Sequence, residues 1–159
     1  MESKMSAAGS PIAGSPGNAN APRIQYWEDW FIYELDFAAL ANGATALANI
    51  QIQADSDFKL MKLAYAADIA KAAYTANTQP IPNVSISILD GGSGRVLSSA
   101  PVSLQALFGV GQLPYILPIP RLFKAKSTIQ FTVANYDAAV TYNLHFALHG
   151  TKIMSGGPS

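Results

Sequence analysis

The chain contains no cysteine, only two histidines and little charge of either sign. Without cysteine there is no disulfide framework, no thiolate nucleophile and no cysteine-based zinc site. Charged residues make up 13% of the 159 positions, against roughly 25% in an average soluble domain. Ten basic residues balance ten acidic ones, which excludes a generic basic nucleic-acid binder and a polyelectrolyte tail. Long apolar runs are missing as well. No stretch reaches the roughly 18 residues of a membrane span, and the most apolar window, 37–52, is broken by Asn42, Gly43, Thr45, Asn49 and Gln51. The first two dozen residues carry Glu2, Lys4 and Arg23 among Ser, Gly, Pro, Asn and Ala. They lack the apolar core of a signal peptide, so the chain is expected to be soluble and not secreted by a cleaved signal.

What is present is apolar, uncharged and long enough for one domain with a single core. Three segments are expected. Residues 1–25 form a low-complexity N-terminal arm, because Gly9-Ser10-Pro11-Ile12-Ala13-Gly14-Ser15-Pro16-Gly17-Asn18 cannot bury enough side chain to offset its ordering entropy. The arm is either disordered or extended along a neighbouring subunit. Residues 26–154 form the folded domain, and 155–159 a flexible tail.

The domain reads with period two. Val140, Tyr142, Leu144, Phe146 and Leu148 alternate with Thr141, Asn143, His145, Ala147 and His149, the pattern of a half-buried strand. Ile129, Phe131 and Val133 repeat it, and the intervening 135–139 predicts a hairpin with a longer loop. Val84, Ile86 and Ile88 mark a third strand, stopped by the turn Asp90-Gly91-Gly92-Ser93-Gly94. Two further strands run from near Trp30 through Phe37 and over 48–54, with a turn at Asn42-Gly43. For 57–67 the reading favours a strand, followed by a variable loop or short helix before Pro80. One helix over 59–77 would instead make the domain α+β. Leu104-Gln105-Ala106-Leu107-Phe108 predicts one helical turn with Gly109 as its stop, and Pro114, Pro118 and Pro120 confine the segment they punctuate to an edge or a covering loop. Seven or eight strands with turns between them indicate an all-β fold, an antiparallel β-sandwich or barrel.

Few residues carry recognisable chemistry. His145 and His149 lie four apart on a strand, about 13–14 Å, too far for one ion with ligands at about 2 Å. Glu34 and Asp36 share a strand face about 7 Å apart, a spacing within the glycosidase range, but one such pair occurs by chance in most β proteins, and a solvated face is strongly preferred. Asp55-Ser56-Asp57-Phe58 lacks the later ligands of a calcium loop. Gly91-Gly92-Ser93-Gly94-Arg95 lacks the ending of a phosphate loop, and no nucleophile elbow is present. No catalytic residue, metal or cofactor is therefore expected. The candidate residues are for protein contact. Trp27, Trp30 and Phe31 belong to an aromatic cluster with Tyr26 and Tyr33 that either caps the core or meets another subunit. Arg121 and Phe123 sit in a small basic cluster with Lys124 and Lys126, and Tyr115 precedes them.

The downstream part resembles a known group. Its carriers are Asp90-Gly91-Gly92-Ser93-Gly94-Arg95-Val96-Leu97, then Leu107-Phe108-Gly109, then the apolar run from Leu113-Pro114-Tyr115 to Arg121-Leu122-Phe123. Asn135-Tyr136, the closing His149-Gly150-Thr151-Lys152-Ile153 and, upstream, Ile52-Gln53-Ala54-Asp55-Ser56-Asp57-Phe58 complete it. Together they cover most of the chain beyond residue 50. This part resembles small virion structural proteins of tailed bacteriophages, the capsid decoration or cement proteins with a jelly-roll-like sandwich. The Ala-rich 64–76 matches nothing in that group. The resemblance implies a non-enzymatic homo-oligomer, dimer or trimer, that binds the major capsid protein on the virion exterior after assembly in the host cytoplasm. It implies no nucleic-acid or membrane partner. The same group takes in neck, tail and head-fibre proteins, and a carbohydrate-binding receptor module using Trp27, Trp30 or Tyr115 is the other reading. A small hydrolase using Glu34 or Asp36 is a third, and it requires a carboxylate of raised pKa in a concave pocket.

Overall fold

Alternation of apolar and polar residues sets the architecture. In the computed structural model, residues 26–70 and 80–155 are described. The expected arm, residues 71–79 of the Ala-rich region and 156–159 of the tail lie outside them. The elements run β1 (Tyr26–Leu40), β2 (Thr45–Gln51), β3 (Asp57–Ile69), β4 (Val84–Asp90), β5 (Arg95–Val96), β6 (Val102–Ser103), α1 (Leu104–Leu107), β7 (Gly109–Val110), β8 (Tyr115–Phe123), β9 (Thr128–Asn135) and β10 (Tyr142–Ser155). In β4 and β9 every second residue is buried without exception, as a strand with one face on a core requires.

Two sheets stack face to face. Sheet A has the order β1-β10-β3-β8, with the short β7 running parallel to β3. Sheet B has the order β2-β9-β4, with β5 and β6 both on the far side of β4. The antiparallel pairs nest: β1 with β10, β2 with β9, β3 with β8, β4 with β5. This is one long hairpin rolled so that successive pairs fall in alternate sheets, which is a jelly roll. The all-β sandwich read from the sequence is the observed fold.

The inner faces meet in an aromatic and aliphatic core. Phe146 of β10 stands at its centre, 5.8 Å from Phe37, 5.0 Å from Phe108 and 6.2 Å from Phe131 between ring centroids. Phe131 comes from sheet B, so this contact ties the two layers. Ile86, Ile88, Ile129 and Val133 face Leu60, Leu63, Leu144 and Leu148 across it. Each such burial stabilises the fold by about 1.5–3 kcal/mol.

Five local expectations change. The segment between β9 and β10 is not a hairpin loop: the two strands lie in different sheets, and the segment crosses between them. Asn135 holds that corner. Its buried amide donates to the carbonyls of Leu40 (3.2 Å), Ala41 (3.2 Å) and Val140 (2.9 Å), and its Oδ1 accepts from the Asp137 N–H at 2.9 Å. Alternation alone does not distinguish a strand that returns beside its predecessor from one that crosses to the other sheet. The first strand begins at Tyr26 rather than near Trp30, because β10 extends to Ser155 to pair with it. That pairing also carries regular structure one residue past the expected domain end. The helix alternative over 59–77 fails over its first part, since β3 runs to Ile69 between β10 and β8. The turn α1 forms as expected, but Phe108 leaves it in extended conformation. Gly109 is required for close approach instead: a Cβ there would collide with the carbonyl of Leu113. The proline-rich stretch forms β8, an edge strand as the prolines demand.

Candidate functional site

The two outer faces of the sandwich differ in charge. On sheet B the outward positions are Thr45, Leu47, Asn49 and Gln51 from β2, Thr128, Gln130, Thr132 and Ala134 from β9, and Ser85, Ser87 and Leu89 from β4. None carries a charge. On sheet A the outward positions gather Glu28, Glu34, Asp36, Lys59, Lys62, Asp68, His145 and His149. Lys59 Nζ lies 2.7 Å from Glu28, which also accepts from Thr151 Oγ1 at 2.9 Å. These hydrogen bonds hold the Glu28 carboxyl below its ordinary pKa. His145 stands between two aspartates, with Nδ1 2.8 Å from Asp36 and Nε2 3.8 Å from Asp68. Asp68 further accepts from the Asn143 amide at 2.6 Å.

Glu34 and Asp36 do share this face, but Asp36 is engaged by His145 and both side chains are exposed. His145 and His149 share it too and do not converge. Among the described residues no group of three or more His, Asp or Glu is placed to hold a metal ion, and no helix is long and apolar enough to cross a membrane.

The aromatic start of β1 divides by strand parity. Pairing with β10 is regular from Tyr26 to Phe37, so Trp27 and Trp30, an odd number of residues apart, point to opposite faces. They do not form one platform. Trp30 is 71% exposed on the sheet A face, 6.4 Å from His149 between ring centroids; Trp27 is 49% exposed on the other side. Phe31 is half-buried. It meets Tyr33 edge-on at 4.8 Å and lies under the Lys152 ammonium at 4.4 Å. Lys152, itself buried, is held over that ring by Gln53 and by Asp55 at 3.2 Å. Phe31 thus caps the core, as Tyr33 does through the hydrogen bond its hydroxyl accepts from Gln53 N–H at 3.0 Å.

The β8 candidates separate in the same way. Phe123, expected at the surface, is 1% exposed, because its position opposite Phe58 turns it inward. Arg121 reaches back to the β4–β5 turn, with Nη2 3.0 Å from Asp90 and 3.2 Å from Ser93 Oγ. It joins sheet A to sheet B within the chain. Tyr115 remains exposed at the start of the strand, with the more exposed Leu113, Ile116, Ile119 and Leu122. Ile119, between Pro118 and Pro120, is 80% exposed. Leu47 and the β8 aliphatics are not among the residues expected from the sequence. The signal for Leu47 was available in the odd positions of 45–51, which hold no charge. The β8 aliphatics were hidden by the prolines, which break the alternation.

The sheet edges differ as well. The β1 edge carries Glu28, Asp29, Glu34 and Asp36 and an irregularity between Phe37 and Leu40, where Ala39 takes φ +51°. The β8 edge carries two prolines and a break in register between Ile116 and Arg121. The β5 and β6 edge is made of two-residue strands. Charges, prolines, bulges and shortness are the devices that keep edges from pairing. The β2 edge has none of them.

No protein-family description matches the chain, and no curated protein matches it in sequence. Among solved structures, the infectious bursal disease virus VP2 subviral particle is similar over 94% of this chain at 10% identity and a TM-score of 0.28. The chain spans 42% of the VP2 chain. The decameric BFDV capsid protein is similar over 82% of this chain and 99% of its own, at 11% identity and a TM-score of 0.29. These weak structural neighbours are viral capsid proteins. The nested strand order is what defines the jelly roll.

Proposed function

We propose that the chain is a non-enzymatic structural protein of a virion, a decoration or cement protein that self-associates and lies against the major capsid protein on the shell exterior. The observation that carries this reading is the charge-free outer face of sheet B. Eleven outward side chains on three adjacent strands are hydroxyls, amides or aliphatics. Docking such a face against protein removes no charge from water, so desolvation costs little. The exposed aliphatics of β8 add apolar contact of the kind that marks interaction sites.

Mass spectrometry of purified particles from the source culture tests this. The chain is expected at a fixed ratio to the major capsid protein, and particles lacking it are expected to lose shell integrity at lower temperature. Particles devoid of the chain would sink the reading. The fixed ratio also separates positions on the particle, since a neck, tail or fibre component is present in far fewer copies than a shell component. A receptor module is the second reading, favoured by the exposure of Trp30. It expects glycan binding that Trp30→Ala abolishes.

A further inference from the structure

We propose that β2 is a homotypic docking edge that pairs antiparallel with β2 of a second copy about a two-fold axis at Ala48. Backbone direction supplies the first argument. The Asn135 N–H donates to the Ala44 carbonyl and the Ile52 N–H to the Ser127 carbonyl, both at 2.9 Å. Positions 44 and 52 are therefore hydrogen-bonded positions of the β2–β9 ladder, and the even residues between them face β9. The odd residues, Thr45, Leu47, Asn49 and Gln51, direct their N–H and C=O groups away from the sheet. Among the described residues nothing pairs with those groups.

Protection supplies the second argument. Among the described residues three of the four sheet edges carry a device against pairing, and β2 alone is a regular seven-residue strand with no charge, proline, glycine or bulge. Leu47, at its middle, is 57% exposed. Symmetry names the partner. A strand that pairs with a different protein gains by carrying charge opposite to that partner. A strand that pairs with its own copy doubles any net charge it carries, so a strand of zero net charge fits a two-fold contact. The axis at Ala48 sets Thr45 against Gln51 and Leu47 against Asn49 of the second copy. All four outward residues are then hydrogen-bonded, and the neutral faces of two sheets B become continuous. Residues 1–25 compete poorly for this edge because Pro11, Pro16 and Pro22 remove donors that a ladder needs.

The proposal deepens the self-association in the proposed function but is tested on purified full-length protein. Absence of the chain from virions would leave it standing, and its failure would leave particle binding standing. Because the chain has no cysteine, introduced thiols report the register. At the axis the two residues 48 form a non-hydrogen-bonded pair with Cα atoms about 4.5 Å apart, within disulfide range. Oxidation of Ala48→Cys is expected to give a covalent dimer, whereas Leu47→Cys, a diagonal pair about 7–8 Å apart, is not. Leu47→Lys is expected to shift sedimentation from dimer to monomer with an unchanged far-ultraviolet spectrum. A wild-type monomer at high micromolar concentration overturns the proposal, and so does a Leu47→Lys protein that remains dimeric. Slow amide exchange at positions 47 and 49 that persists in the Leu47→Lys monomer overturns it too, by showing that the chain covers its own edge.

Discussion

The Asp90 carboxylate ties the β4–β5 turn to β8 through four hydrogen bonds. Its Oδ1 accepts from the N–H groups of Gly92 (3.0 Å) and Ser93 (3.2 Å), and its Oδ2 from Ser93 Oγ (2.7 Å) and Arg121 (3.0 Å). Burial by itself would raise its pKa. The hydroxyl, the guanidinium and the two backbone donors outweigh that and hold the carboxyl below its ordinary value. A carboxyl depressed in the folded state contributes stability above its unfolded pKa, and that contribution is lost as pH falls through the folded one. Asp90→Asn is therefore expected to cost roughly 1–3 kcal/mol at neutral pH. The gap to wild type should narrow once pH drops below about 4, the unfolded aspartate value; thermal midpoints measured from neutral to acid pH check this. The buried acid was visible in the sequence only as a turn residue. Its tie to Arg121, 31 positions away, was not, because no local pattern records which sheet a turn leans on.

At the scale of elements, particular residues fix two of the crossings between sheets and one close approach. The crossing from β9 to β10 depends on the amide of Asn135, and Asp137 supports it by accepting from Ala139 N–H (2.9 Å), Tyr142 Oη (2.9 Å) and Val140 N–H (3.0 Å). The crossing from β1 to β2 turns at Gly43, where φ is +68°. The close approach is at Gly109, where the backbone of 113–115 occupies the space of a side chain. Gly109→Ala is expected to lower stability by about 1–3 kcal/mol, read as a lower denaturation midpoint with an unchanged slope. Gly43→Ala, which has open space but a left-handed backbone, should cost about 1 kcal/mol. Strand positions were legible because burial follows alternation. The expected β9–β10 hairpin does not form, and the sequence does not exclude it, because the same alternation serves a strand in either sheet.

For the whole molecule the governing feature is the uneven distribution of a small amount of charge. The outer face of sheet A carries much of it, and the outward residues of β2, β9 and β4 in sheet B carry none. Association through β2 is therefore expected to be insensitive to salt. Sedimentation at low ionic strength and at about 1 M, where the Debye length is roughly 3 Å, should give the same dimer fraction. A dimer dissolved by salt would indicate a contact through the charged face instead. The low charge content and the period of two were properties of the sequence alone, and the period of two determined an all-β sandwich. Composition counts charges without placing them, and alternation assigns residues to a face without saying which sheet or which edge. Those assignments depend on pairing between strands distant in the chain. Only the tertiary structure decided that Phe123 and Arg121 turn inward, that Trp27 and Trp30 diverge, and that β2 is the one unprotected edge among the described residues.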